Sequence, residues 1–145
     1  MKKIGEFKIN DEFDVIKEED SLKTAAEKLL KIKKGVLVVM DTKDENKVLG
    51  IVYDRAILQK VAEGKNTKDL KVSSVVDKNI MTVTEDADVE KVLLETNKVR
   101  PAAIIVNDKN GKFKGYFSPH DFVEAVWELQ EIIARDAMAE LGIQR

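Results

Sequence analysis

Hydrophobic positions in the first part of the chain change between the spacing of short strands and that of an amphipathic helix. Phe13–Lys17 alternates as a short strand, and Val36–Met40 and Val48–Tyr53 are apolar runs of strand length around a polar turn. Between the first and the second of these segments, apolar residues recur on one face of a predicted helix. These residues are Leu22, Ala25, Ala26, Leu29 and Leu30. With a second helix over Asp54–Glu63, the pattern predicts the order strand–helix–strand–strand–helix.

The same order recurs later in the chain, which indicates an internal repeat. The predicted elements are a strand near Met81–Thr84, a helix from Asp88, strands at Ala103–Val106 and Phe113–Phe117, and a helix from Ser118. Val89 follows Leu22 by 67 positions (89 − 22), and Val106 follows Val39 by the same interval (106 − 39). Gly115 follows Gly50 by 65 positions (115 − 50) because the first polar turn is two residues longer.

The repeat divides the chain into four predicted parts. A first repeat covers 1–64, and a polar linker with one short helical turn covers 65–78. A second repeat covers 79–126, and the last helix extends over 127–145. Apolar residues continue into that extension at helical spacing, from Val126 through Leu129 to Ile133, and Trp127 widens the apolar face. Two explanations stay open, packing on its own domain and contact with a second copy in a homodimer.

The start of the last helix carries the polar residues that suggest a binding site. Ser118 suits the N-cap, Pro119 the first helical position, and Asp121 the third position of a capping box. A helix N-terminus beside a strand end also favours an anion, and a carboxylate one turn in can hold a sugar diol. Asp121 therefore has two possible roles, as a helix stabiliser and as a ligand-binding group.

Composition narrows the functional classes. The net charge of −2 gives no basic excess, so nucleic acid is not a favoured partner. No apolar run has the length of a membrane span and the N-terminus lacks a signal-peptide pattern, so we expect a soluble, cytoplasmic protein. The chain has no cysteine and one histidine, His120, and shows no nucleophile–base pair or phosphate loop. We therefore expect no catalytic residues, no metal site and no enzyme activity.

Three segments of the second repeat resemble the CBS (cystathionine β-synthase) domain family, whose tandem pairs are called Bateman modules. Asn79–Val89 is similar to the family's approach to its first helix, and Val99–Asp108 to its first long strand. Gly115–Phe122 is similar to its strand-to-helix signature, glycine, two apolar residues, Ser or Thr, two variable residues, Asp and an apolar residue. The resemblance covers about Phe13 to Ala125. It implies an α+β fold of two repeats related by a pseudo-twofold axis.

The resemblance also implies an adenosine-containing ligand in a cleft between the repeats. Family members commonly bind AMP, ADP, ATP or S-adenosylmethionine. By that resemblance Asp121 would accept hydrogen bonds from the ribose hydroxyls, Ser118 would meet the phosphate, and His120 would face it. The main chain flanking the adenine would come from two short segments. They consist of Ile80, Met81 and Thr82, and of Arg100, Pro101 and Ala102.

The first repeat departs from this pattern. The residues aligned with Ser118 and Asp121 are Tyr53 and Ala56, so the ribose carboxylate is missing and a phenol fills the hydroxyl position. Asp54 can still stabilise the helix start. We expect the first site to be weak, empty or altered, with Arg55 as its one evident phosphate partner.

Two hypotheses of function follow. The first is a non-catalytic regulatory module, without a cofactor, that binds an adenosyl small molecule mainly at the second-repeat site. Binding would then alter a dimer surface or the surface for a regulated protein partner. The alternative is a structural or interaction scaffold that dimerises or binds a protein without nucleotide.

Overall fold

The predicted order of elements is confirmed in both repeats. The computed structural model describes residues 2–142. The first repeat contains β1 (Phe13–Lys17), α1 (Leu22–Lys31), β2 (Val36–Met40), β3 (Val48–Val52) and α2 (Asp54–Ala62). The second contains β4 (Ile80–Thr84), α3 (Val89–Val99), β5 (Ala103–Asn107), β6 (Phe113–Phe117) and α4 (Pro119–Glu140).

Each repeat forms its own three-stranded mixed sheet. In the first sheet the order is β1–β2–β3, with β1 parallel and β3 antiparallel to the central strand. The second sheet, β4–β5–β6, has the same pairing. Both sheets have a register irregularity at the same place, between Val39 and Met40 and between Val106 and Asn107. The fold is therefore α+β with two equivalent units.

The central strands are buried on both faces, and their alternation separates two kinds of contact. Leu37 and Val39 pack in the core of the first repeat, together with residues of α1 and α2. The intervening residues of β2 form a third cluster with Ala103 and Ile105 of β5. These β2 residues are Val36, Val38 and Met40. The two sheets thus pack against each other, and the cleft between the repeats lies along this contact.

Each core is completed by a segment from outside the boundaries predicted for its repeat. Residues Ile4, Phe7 and Ile9 lie within the predicted first repeat, yet they pack in the core of the second. Val72, in the predicted linker, is fully buried in the core of the first repeat, and Leu70 packs against it. The short 3-10 turns Ile4–Glu6 and Val72–Ser74 occupy these segments. Each of these segments therefore precedes the sheet of one repeat and packs in the core of the other. We call residues 4–9 and 70–77 the crossing segments.

Two glycines permit this close packing. A Cβ on Gly115 would lie 2.4 Å from the carbonyl oxygen of Ile9, and one on Gly50 would lie 2.3 Å from that of Asp77. The next residues, Tyr116 and Ile51, donate backbone hydrogen bonds to the same two carbonyls, at 2.8 and 3.0 Å. Each crossing segment therefore runs against the third strand of a sheet at a distance that a side chain would prevent.

The last helix extends beyond the core that it helps to form. Phe122, Val126 and Leu129 pack against the second core. Trp127, by contrast, is 67% exposed and Ile133 is 59% exposed. The predicted extension over 127–145 is helical through Glu140, and its last residues, 143–145, lie outside the described residues. Within residues 2–142, large apolar side chains of α4 are thus left uncovered.

The crossing of the N-terminal segment can be tested with Ile4→Ala. Because Ile4 is fully buried in the second core, its truncation should cost roughly 2–5 kcal/mol in the free energy of unfolding measured with urea. The control Leu30→Ala, at a position 81% exposed on α1, should cost less than about 0.5 kcal/mol. Equal effects of the two variants would show that residues 2–9 are not part of this core.

Candidate functional site

The start of α4 is a buried capping box. The Ser118 hydroxyl accepts a hydrogen bond from the Asp121 amide at 3.1 Å, and the Asp121 carboxylate accepts one from the Ser118 amide at 3.0 Å. Ser118 is 1% exposed and Asp121 is 2% exposed. The predicted capping role of both residues is confirmed. Burial of this depth places a fixed hydroxyl and a fixed carboxylate at the end of β6.

The surroundings of Asp121 disfavour its negative charge. Burial raises the pKa of the Asp121 carboxyl, and the two hydrogen bonds with Ser118 oppose that effect. The carboxylates of Asp11 and Glu12 raise this pKa further. Asp121 therefore lies among acidic groups contributed by the first repeat.

Two cavities meet at Ser118 and Pro119. We call the larger the Pro101 cavity; its volume is about 260 Å³ and its walls are mostly apolar. Its other lining residues include Pro101, Ala102, Ile104, Tyr116, Phe117 and Phe122. We call the smaller the Glu12 cavity, with a volume of about 190 Å³. It is also lined by Glu12, Lys34, Gly35, Tyr53, Tyr116 and His120.

The Glu12 cavity contains charged residues, Glu12 and Lys34, that are not among the predicted site residues. The Glu12 carboxylate lies 3.8 Å from the Lys34 ammonium, and its side chain is only 16% exposed. Gly35 allows the backbone of Glu12 to come this close. Its φ is +131°, and a Cβ there would lie 1.9 Å from the Glu12 carbonyl oxygen. The repeat interval of 67 positions could have pointed to Glu12 and Lys34. Positions 12 and 34 correspond to 79 and 101, which adjoin or lie in the two segments predicted to flank the adenine. The residues just before β1 and β2 of the first repeat therefore face the start of α4 in the second repeat.

The predicted site residues of the second repeat fall into two groups. Pro101 and Ala102 line a cavity with Ser118, and His120 lines the other, where it is exposed. Arg100 is exposed, in a left-handed conformation with φ of 51°, at the C-terminal end of α3. Its carbonyl accepts a hydrogen bond from the Asn79 side chain at 3.3 Å.

The predicted segment Ile80–Thr82 does not line either cavity beside Ser118. Ile80 packs between the sheets, and Met81 packs against the second core. Thr82 lines a separate cavity of about 280 Å³ near Asp44. The reason is topological: β4 is separated from β6 by the central strand β5, so about two strand spacings, roughly 10 Å, intervene.

Tyr53 occupies the corresponding place in the first repeat. Its hydroxyl donates a hydrogen bond to the carbonyl oxygen of Ala102, and burial raises the pKa of the phenol. Tyr53, Arg55 and Ala56 line a wide cleft of about 1010 Å³, which we call the Arg55 cleft. Tyr53 also lines the Glu12 cavity, so its ring stands between the two sites.

This arrangement of two sheets, crossing segments and paired helix starts agrees with a family model. The model described as "CBS domain" matches the chain twice, over residues 4–63 and 72–128. The chain belongs to the CBS domain family. Both matches begin at a crossing segment, so the family's unit includes the 3-10 turns that precede each sheet. The resemblance to a tandem CBS pair is thereby confirmed.

Known proteins similar to this CBS pair differ in what else they contain. A homoserine O-acetyltransferase of Methanococcus vannielii is 27% identical over 86% of this chain, but the match covers 25% of that protein. The chain therefore spans about a quarter of this curated relative. Among solved structures, a hemolysin-like CBS protein of Oenococcus oeni is 22% identical, with a TM-score of 0.72 and coverage of 86% of this chain and 89% of that one.

A third similar protein was solved with a ligand. The CBS domain protein of Pyrobaculum aerophilum, complexed with AMP, is 17% identical, with a TM-score of 0.66 and coverage of 86% of this chain and 98% of that one. At these identities the likeness shows the fold. Within residues 2–142, no helix is long and apolar enough to cross a membrane, and no group of three or more His, Asp or Glu side chains could hold a metal ion.

The environment of Asp121 predicts a pH dependence. Since burial raises its pKa in the folded chain, the folded chain binds this proton more tightly than the unfolded chain does. The stability of the wild type relative to Asp121→Asn should therefore rise as the pH falls through the raised pKa, and level off below the ordinary value of 3.8. The slope cannot exceed about 1.4 kcal/mol per pH unit, the value for one proton.

Urea unfolding of both proteins between pH 3 and 7 measures this difference. Asn keeps an oxygen that can accept the hydrogen bond from the Ser118 amide, so the two proteins differ mainly in the titrating group. A relative stability that falls with falling pH would show that the hydrogen bonds with Ser118 outweigh burial.

Proposed function

We propose that this CBS pair is a non-catalytic regulatory module that binds one adenosine-containing small molecule per chain beside Ser118. The observation that carries this proposal is the buried capping box, in which Ser118 lines both the Pro101 and the Glu12 cavity and Asp121, which lines neither, lies hydrogen-bonded behind it. A fixed carboxylate, apolar walls and a second cavity with charged residues in its wall are together suited to a ribose, a base and a tail. The similar protein of Pyrobaculum aerophilum, solved with AMP, supports the same class of ligand.

In this proposal the ligand spans both cavities. Each is smaller than the roughly 300–1,000 Å³ typical of ligand pockets, so a nucleoside would need the two together. The base would lie in the Pro101 cavity against Pro101 and Ala102. The ribose would lie at the Ser118–Asp121 junction, and the tail would point into the Glu12 cavity near His120.

The first repeat is proposed to bind no nucleoside. Tyr53 fills the position that Ser118 has in the second repeat, and Ala56 provides no carboxylate for a diol. The hydrogen bond from Tyr53 to Ala102 holds the ring in that place. We therefore propose one adenosyl ligand per chain.

Thermal unfolding tests the proposed ligand. A compound present at a hundred times its dissociation constant should stabilise the wild type by about 2.7 kcal/mol and raise its melting temperature. AMP, ADP, ATP, S-adenosylmethionine and adenosine are the compounds to compare. Asp121→Ala should lose the shift, measured against its own ligand-free melting temperature, because the diol would lose its acceptor.

Asp54→Ala is the matched control. Asp54 is the exposed acidic residue at the start of α2, where its carboxylate accepts a hydrogen bond from the Arg55 amide at 2.8 Å. This variant should keep the full shift. If ligand-free wild type shows no shift with any of the compounds, the ligand proposal is wrong, and the scaffold hypothesis takes its place.

The exposed face of α4 favours a second function, as a scaffold that dimerises. Exposed large apolar side chains lie along the whole length of this helix and at its C-cap, at Val123, Trp127, Ile133 and Leu141. A second copy of the chain would bury them in a helix–helix contact. This function and ligand binding are compatible.

Trp127→Glu tests the dimer. The substitution puts a charge at the largest exposed apolar position of the face, so it should convert a dimer to a monomer in sedimentation equilibrium. Leu30→Glu, at an apolar position on α1 that is 81% exposed, should leave the dimer intact. A wild type that is monomeric at all concentrations, or a dimer that survives Trp127→Glu, would contradict the proposed interface.

A further inference from the structure

We propose that the Glu12 cavity selects adenosyl ligands whose tail is neutral or cationic and discriminates against polyphosphate tails. This inference rests on the proposed function and adds to it the charge class of the ligand. It depends on the charged groups around the Glu12 cavity, where the tail would lie, and on the backbone amides that are free to bind a phosphate there.

The carboxylates around this end are more deeply buried than the ammonium groups that pair with two of them. Glu12 forms part of the cavity wall, and Asp11 and Glu12 are close enough to Asp121 to disfavour its ionisation. Lys34, in the cavity wall, is 76% exposed and lies 3.8 Å from Glu12, and Lys8 is 78% exposed and lies 4.0 Å from Asp11. A well-hydrated ammonium offsets less charge than a carboxylate that is 16% exposed, because solvent screens it more. A polyanionic tail would therefore meet net repulsion.

The helix N-terminus does not compensate for this repulsion. An anion at such a site is normally held by unpaired backbone amides of the first turn. Here the amides of Ser118 and Asp121 donate to each other's side chains within the capping box. Pro119 has no amide hydrogen. Three of the four positions 118–121 thus offer a phosphate no free backbone amide, which leaves the His120 amide and the Ser118 hydroxyl as donors there. The helix start is therefore less favourable to an anion than the sequence predicts.

Basic side chains are instead found on the other side of Tyr53. Arg55, Lys60 and Lys78 line the Arg55 cleft, with Asp77 as its acidic residue. That cleft lacks the diol-binding carboxylate, since Ala56 stands in its place. The groups suited to a ribose and the groups suited to several phosphates are therefore separated in this chain.

Isothermal titration with four adenosyl probes tests the selectivity. The probes are adenosine, AMP, ATP in metal-free buffer, and S-adenosylmethionine, whose sulfonium and ammonium groups outweigh its carboxylate. The wild type should bind S-adenosylmethionine at least tenfold more tightly than ATP, with adenosine also bound. Glu12→Gln should reduce this ratio at least tenfold, mostly through tighter binding of ATP.

Two further variants serve as controls. Glu19→Gln removes the same charge from an exposed position beyond the far end of β1, roughly 20 Å along the strand, and should leave the ratio unchanged. Lys34→Gln should increase the discrimination against ATP, because it removes the cation beside Glu12.

The possible failures are distinguishable. If adenosine binds and Asp121→Ala abolishes that binding, but ATP binds as tightly as S-adenosylmethionine, the site stands and the selectivity is wrong. A ratio that Glu12→Gln leaves unchanged also overturns the selectivity. If no adenosyl probe binds the wild type, both the selectivity and the proposed function are overturned.

Discussion

The close contact at Gly50 and Gly115 determines how the two repeats fit together. At each glycine the backbone of a crossing segment lies where a Cβ would be, against the third strand of a sheet. The contact lets Ile4 and Phe7 complete one core and Val72 complete the other. It also fixes the strand–helix junction that follows each glycine, where Tyr53 and Ser118 stand. The geometry of the candidate site therefore depends on two positions that have no side chain.

The two junctions have the same backbone and different chemistry. Ser118 accepts the capping hydrogen bond of α4, whereas Tyr53 makes no side-chain cap for α2 and bonds to Ala102 across the cleft. Loss of an N-cap costs about 1 kcal/mol, which is small beside the burial of a whole core. The site of the first repeat could therefore change with little effect on the fold. The repeat symmetry constrains the backbone and leaves the binding chemistry of each copy independent.

Features with a local signal were predictable from the sequence, and features that join distant segments were not. The strands around Val39 and Val106 follow from apolar runs, and the capping box follows from the spacing of Ser118 and Asp121. By contrast, Ile4, Phe7 and Ile9 are too few to show a period, so nothing local assigns them to the second core. Glu12 and Lys34 read as ordinary surface charges because the helix start that they face lies more than eighty residues away. Glu12 and Lys34, which line a cavity with Ser118, come from the opposite repeat.

The crossing of the N-terminal segment has a consequence for protein synthesis. Lys3 pairs with Asp88, 85 residues later in the chain, and the core that Ile4 joins is complete only with Ala125 of α4. During translation this apolar segment leaves the ribosome long before its partners exist, and it must wait while the first sheet assembles. Contacts of such long sequence separation form slowly. Residues 2–9 are thus expected to be among the last parts of the chain to reach their native packing.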